Sequence, residues 1–172
     1  IATKYGTKEE YLAAVEILHN CGIEVLADVV LNHMMGADTC ENVSATRVAD
    51  NNRNQCIGAK EEIYAWTGFH FPGRDGKYSD FTWNSSHFNG VDWDEKTKSK
   101  ALFLFEGKQW DAQTDEEKAN FDYLMGADLD MENAVVRAQL IKWGIWYTKT
   151  VGMDGFRLDA VKHINAGFYK EW

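Results

Sequence analysis

The segment Val25-Leu26-Ala27-Asp28-Val29-Val30-Leu31 constrains this chain more than any other. It is too continuously apolar for a strand with one wet face. Ile23 to Leu31 therefore reads as a strand buried on both faces, as in a parallel sheet. A helix precedes it: Thr7 and Glu10 have the T-x-x-E spacing of a capping box, Tyr11, Ala14, Val15 and Leu18 share an apolar face, and Gly22 supplies the stop. The same pair of elements returns near the end of the chain. Asn133 can cap a helix with Val136, Leu140, Trp143 and Tyr147 on one face, Gly152 ends it, and a second strand, Asp154 to Asp159, runs into Lys162-His163. Helix, strand, helix, strand makes an α/β fold around a parallel sheet.

Between the two pairs the character changes. From Asn32 to Glu132 helical periodicity is poor, turn signals recur (Pro72-Gly73-Arg74-Asp75-Gly76, Asn89-Gly90), and short aromatic runs alternate with polar residues. Connections in parallel sheets usually take about 2–6 residues, so roughly 100 residues here must form a subdomain of their own, β-rich in pattern. Most of its aromatics, Trp66, Phe69, Trp83, Phe88, Trp93 and Trp110 among them, read as that subdomain's core, although the flat faces of Tyr64 and the tryptophans also suit sugar rings. The chain thus divides into 1–32, 33–132 and 133–172.

Composition narrows the partners. Of 172 residues 45% are hydrophobic and 13% aromatic, which excludes disorder. No apolar run approaches the ~20 residues of a membrane span. A net charge of -9 without a basic cluster argues against nucleic acid or an anionic membrane and for a neutral substrate or bound cations. Cys21, Cys40 and Cys56 lack zinc-site spacing, and their odd number favours a reducing compartment. Ile1-Ala2-Thr3-Lys4 is neither an initiator methionine nor a signal peptide, so the chain reads as an internal piece of something longer.

Ligands of parallel sheets and barrels bind at the carboxyl ends of strands. Two such ends carry unusual polar groups here, Asp28…Asn32-His33 and Arg157-Leu158-Asp159…Lys162-His163. Arg157 and Asp159 stand two apart and share a face. A guanidinium beside an otherwise buried aspartate favours the carboxylate, which suits a nucleophile, a metal ligand or a base, and equally a structural ion pair. A second concentration of charge runs from Asp111 to Glu132, where Asp111, Asp122, Asp128, Asp130 and Glu132 sit among apolar residues with Lys118 as the single base. Carboxylates in that setting repel unless a cation neutralises them, and hard oxygen donors suit Ca²⁺. Asp115 to Glu117 read as a solvated turn.

Asp28-Val29-Val30-Leu31-Asn32-His33 and Gly155-Phe156-Arg157-Leu158-Asp159-Ala160-Val161-Lys162-His163 resemble two signature regions of the α-amylases of glycoside hydrolase family 13. Phe69-His70-Phe71-Pro72-Gly73-Arg74 and Phe121-Asp122-Tyr123-Leu124-Met125-Gly126-Ala127-Asp128-Leu129-Asp130 are similar to the bacterial liquefying and intracellular subgroup. The resemblance implies the third and fourth βα units of a (β/α)₈ TIM barrel, with a β-rich calcium-binding insert, domain B, between strand three and helix three. It implies an endo-acting hydrolase of α-1,4-glucans working with net retention. By that resemblance Asp159 is the nucleophile and Arg157 keeps it ionised. His33, Lys162 and His163 meet the sugar, and Asp28 belongs to the network behind the site. Asn32, Asp122, Asp128 and the main-chain oxygen of His163 are implied as calcium ligands, with Asp111 and Asp130 as ligands of adjoining metals. Here the sequence departs: Asn89 and Glu132 stand where liquefying relatives carry aspartates, so one calcium is implied and further metals are left open.

A retaining glycosidase needs two carboxyl groups about 5–5.5 Å apart. The family's acid/base glutamate is expected beyond Trp172, so the isolated piece is expected to be inactive and, with strand edges unpaired, prone to aggregate. The whole enzyme is expected to be monomeric, with neither nucleic acid nor membrane as partner, and cytoplasmic rather than secreted. Two other readings share some of these features: a family member acting as transglycosylase or oligo-α-glucosidase, and a non-catalytic, calcium-stabilised carbohydrate-binding module.

Overall fold

A computed structural model describes residues 3–172; Ile1 and Ala2, at the start of the 1–32 segment, lie outside the described residues. Helix α1 spans Lys8–Asn20 and begins as its sequence demands: Thr7 Oγ1 accepts from Glu10 N at 3.1 Å while Glu10 Oε2 accepts from Thr7 N at 2.7 Å. Strand β1, Leu26–Val29, comes next. Helix α2, Ala134–Val151, is capped by the Asn133 side chain and ends at Gly152, whose φ of 71° few other residues adopt. It leads into β8, Gly155–Leu158, which pairs with β1 in parallel, Leu26 opposite Gly155 and Val29 opposite Leu158. The hydroxyls of Tyr11 and Tyr147 meet at 2.9 Å and tie α1 to α2. A short helix α3, Ala166–Glu171, closes the chain, and Trp172 lies against Gly144 of α2.

The expectation that β1 is buried on both faces is corrected. Ala27 and Val29 are buried, whereas Leu26 is 61% exposed and Val30 46%. A strand is covered only on a face where something packs. In this two-stranded sheet the Ala27–Val29 side meets the core while the other side, among the described residues, joins no hydrophobic core.

The stretch between forms a second sheet of six antiparallel strands: β2 (His33–Met34), β3 (Thr39–Arg47), β4 (Glu61–Gly68), β5 (Phe88–Asp94), β6 (Ser99–Phe105) and β7 (Ala127–Leu129), in the order β2-β7-β5-β6-β3-β4. The first and last strands of this segment in the chain, β2 and β7, pair with each other, so both ends of the segment return to the end of β1. Ile63, Phe88, Phe103, Ala45 and Ala65 fill its interior and join the core under β1 and α2. The Asn89-Gly90 turn expectation is also corrected: both residues lie inside β5. The strand needs glycine there for a reason no turn rule contains, because the Phe103 carbonyl crosses where a side chain would start. The aromatics divide as well, Trp83, Phe88 and Trp110 buried, Tyr64 and Trp66 exposed.

The sheet curls until its edge strand β4 meets the end of β5, and Asp94 is the clasp. Its buried carboxylate accepts from Tyr64 N (2.8 Å), Lys96 N (2.9 Å), Thr97 N (3.2 Å) and Thr97 Oγ1 (2.6 Å). Burial alone would raise its pKa, but these four hydrogen bonds outweigh it and hold the carboxyl below its usual range. A depressed folded-state pKa means stabilisation fully present above about pH 4 and lost as pH falls through the folded value. Asp94→Asn is therefore expected to cost about 1–3 kcal/mol at neutral pH and to flatten the acid limb of the stability curve. Urea midpoints at pH 7 and pH 3 check this; an unchanged acid limb would remove Asp94 as its source.

Candidate active site and acidic cluster

Because β1 and β8 run in register, the residues that leave their carboxyl ends arrive at one edge: Asn32 and His33 after β1, Asp159 to His163 after β8. Asp159 N donates to Val29 O at 2.9 Å and seals the two strand ends together. Arg157 Nη1 lies 2.9 Å from Asp28 Oδ1 and 2.7 Å from Asp159 Oδ1. The hydrogen bond to Asp28, then that to Asp159, hold the guanidinium above its ordinary pKa. The spacing argument put Arg157 and Asp159 on one face, and the structure brings them into contact. It does not bury them: the Asp159 side chain is 37% exposed, which leaves it open to a ligand.

The two histidines differ. The Nδ1 of the buried His163 can only donate to the Phe121 carbonyl it touches, which leaves the lone pair of the neutral ring on Nε2 as an acceptor. Burial lowers the pKa of His163 most, with Lys162 and Arg53 adding to it against the raising effect of the Phe121 bond, so the neutral form prevails. Burial also lowers the pKa of His33; the Asp159 carboxylate pulls it up and His163 pushes it down, and its buried Nδ1 has no partner.

Lys162 reaches across to the six-stranded segment. Its ammonium lies 2.8 Å from Glu117 Oε2 and 4.4 Å from the centre of the Phe121 ring, while its carbonyl accepts from Asp115 N at 2.9 Å. Asp115 to Glu117 are thus more than the solvated turn expected of them, since Glu117 binds the lysine at the strand end. The Phe121 ring also has Arg53 at 4.7 Å and Lys118 at 5.4 Å. Sequence reading missed Arg53, which is buried and donates to the Tyr123 carbonyl, because nothing near Arg53 in the chain announces a partner 70 residues away.

The acidic residues collect behind this edge. Asp111, Asp122 and Asp128 are buried together with Asn32 and Asn89. Asn32 Nδ2 donates to Asp128 Oδ1 at 3.1 Å, and Asn89 Nδ2 donates to Asp122 Oδ2 at 3.2 Å. Burial above all, and then mutual repulsion, drive the pKa values of Asp111 and Asp128 upward; burial also raises that of Asp122. Among the described residues no set of three or more His, Cys, Asp or Glu side chains forms a metal-binding group. What the fold gathers instead is a mixed set of carboxylates and amides in which Asn32 Oδ1, Asn89 Oδ1 and Asp128 Oδ2 are buried without a partner. Asp130, whose charge also acts on Asp111 and Asp122, has its Oδ2 2.5 Å from Lys108 Nζ. Lys108 was missed because it precedes the acidic stretch by three residues.

The family Alpha amylase, catalytic domain, matches residues 1–171. An alpha-amylase of Bacillus licheniformis is 48% identical over 172 residues, covering 100% of this chain and 34% of that protein. An alpha-amylase of Geobacillus stearothermophilus is 50% identical over 174 residues, with 100% and 32% covered. A protein of Escherichia coli named cytoplasmic alpha-amylase is 44% identical over 176 residues, with 100% and 36% covered. The chain spans about a third of the length of these relatives.

Proposed function

The chain belongs to the alpha-amylase family, and from that premise we propose that the protein carrying it hydrolyses internal α-1,4-glucosidic bonds of starch and glycogen by a retaining double displacement. The observation that carries this is the Arg157–Asp159 contact of 2.7 Å at the open end of β8. Asp159, paired with a guanidinium that Asp28 holds from the other side, attacks the anomeric carbon as the bond to the leaving sugar oxygen breaks. The proton for that oxygen comes from a second carboxylic acid, supplied by a part of the enzyme outside these residues. Water, giving its proton to that second group, now a carboxylate, then cleaves the glycosyl ester and releases Asp159 as a carboxylate, with two inversions giving net retention. His163 Nε2 accepts a hydrogen bond from a sugar hydroxyl, His33 faces the same sugar, and Lys162, steadied by Glu117 and Phe121, donates to the neighbouring glucose.

In this reading β1 and β8 are the third and fourth strands of a (β/α)₈ barrel, and the six-stranded segment, 33–132, is domain B inserted between them. The orphaned oxygens of Asn32, Asn89 and Asp128, with the Asp122 carboxylate, are hard donors that fit Ca²⁺. These oxygens, with the His163 carbonyl, would hold a calcium ion whose contribution would be to neutralise the buried acids rather than to take part in bond making or breaking. The substrate is a neutral glucan. The enzyme is monomeric and cytoplasmic, a placement supported by free thiols at Cys21, Cys40 and Cys56 and by the Escherichia coli relative's name.

A mechanism-based fluoroglycoside tests the reading. Peptide mapping of the whole enzyme is expected to find the label on Asp159, and the first product seen by NMR is expected to be the α-anomer. A label on another side chain, or a β-anomeric product, discards the mechanism.

A further inference from the structure

We propose that Phe121 is the positioning residue of the sugar-binding end, and that its ring face, more than the Glu117 carboxylate, fixes where the Lys162 ammonium stands. The inference rests on the reading above that Lys162 donates to a glucose, and deepens it. Residues 115–121 of the insert grip the loop after β8 at several points. Asp115 N donates to the Lys162 carbonyl at 2.9 Å, and Phe121 N donates back to the Asp115 carbonyl at 2.9 Å, which closes the segment on itself. The Phe121 carbonyl accepts from His163 Nδ1, and its ring meets the imidazole edge-on, with centroids 4.4 Å apart. The Lys162 ammonium stands 4.4 Å from the centre of the same ring. One residue of the insert therefore touches both side chains assigned to the sugar.

Two partners compete for that ammonium. The Glu117–Lys162 pair is 2.8 Å long, but its side chains are 55% and 46% exposed, so water and salt weaken it. The ring is half-buried and gathers more than one cation: besides Lys162, Arg53 lies 4.7 Å and Lys118 5.4 Å from its centre. Among the described residues every other ring that faces a cation faces a single one. Carboxylates answer this group from the outside. Asp50, 80% exposed, lies 3.3 Å from Lys118 and 3.6 Å from Arg53. Arg53 is buried and fixed to the Tyr123 carbonyl, so its charge steadily repels the mobile ammonium of Lys162. The negative face of the ring is what offsets that repulsion. Without it the lysine would follow Glu117 into solvent.

Fluorine drains the ring face of negative charge while almost keeping its shape, so the test is a series of full-length enzymes with mono-, di- and trifluorophenylalanine at position 121. KM for amylose is expected to rise with each fluorine, reaching about five-fold at the trifluoro ring, while kcat stays within about two-fold, the pattern of a lost contact made equally before and during reaction. Lys162→Met is expected to raise KM and to abolish the fluorine dependence. A flat series beside a raised KM in Lys162→Met overturns the role of Phe121 and leaves the reading of Lys162 standing. An unchanged KM in Lys162→Met overturns that reading and this inference with it. A fluorine dependence that survives in Lys162→Met assigns the effect to Arg53, Lys118 or packing, and Glu117→Gln raising KM more than the trifluoro ring assigns the positioning to the ion pair; either overturns the proposal. If the trifluoro protein does not fold, the slope of the first two members decides.

Discussion

Asp159→Asn in the complete enzyme is expected to lower turnover of amylose by roughly 10⁴-fold or more while leaving glucan affinity within a few-fold. The asymmetry comes from the geometry. An amide has nearly the size of a carboxylate and keeps the contact with Arg157, now 2.7 Å away, so the pocket wall survives. What disappears is the anion that bonds to the sugar. In the proposed mechanism binding rests on other groups, the His163 acceptor and the Lys162 donor, which the substitution does not touch. Initial rates on amylose and affinity electrophoresis in the same glucan separate the two quantities. Retention of most of the turnover would mean that Asp159 is the structural ion pair its spacing also allowed, and a non-catalytic carbohydrate-binding role would then fit better.

Gly90→Ala is expected to be the most damaging methyl that can be added to this chain, costing about 3 kcal/mol or more and lowering the unfolding midpoint by something on the order of 10 °C. The new Cβ would stand 2.2 Å from the Phe103 carbonyl oxygen and 2.8 Å from Trp110 Cη2. A flexible side chain could yield to such a clash; here the first obstacle is the backbone of β6, hydrogen-bonded on both sides between β5 and β3. The damage would also reach the acidic cluster, since Asn89 is the preceding residue. Gly58→Ala is the control, because its methyl meets nothing nearer than Arg47 Cβ at 3.7 Å, and its midpoint is expected to stay within a degree or two of wild type. Equal midpoints for the two variants would show that β5 and β6 can separate without loss, contrary to the packing described.

How much was legible beforehand depends on the range of each interaction. The capping box of α1 and the Asn133 and Gly152 ends of α2 are made between residues at most four apart, and all were readable. The acidic cluster was visible as composition, because charges among apolar residues demand an explanation wherever they fold. Its internal arrangement was not. Lys108 meets Asp130 across 22 positions and Asn89 meets Asp122 across 33, and no local pattern encodes such pairs. Glu117 looked like part of a wet turn because its partner Lys162 is 45 positions away.

Alone, the order of residues determined two helix–strand pairs, the β character of what lies between them, and the two carboxyl-end motifs that place an arginine beside an aspartate. Those properties come from periodicity, capping and side-chain alternation, all of them local. Tertiary structure decided which face of β1 is covered, why β5 holds a glycine, and which acid is answered by lysine, by amide or by nothing. These depend on distances across the fold, and a buried charge takes its value from whatever the folded chain sets beside it.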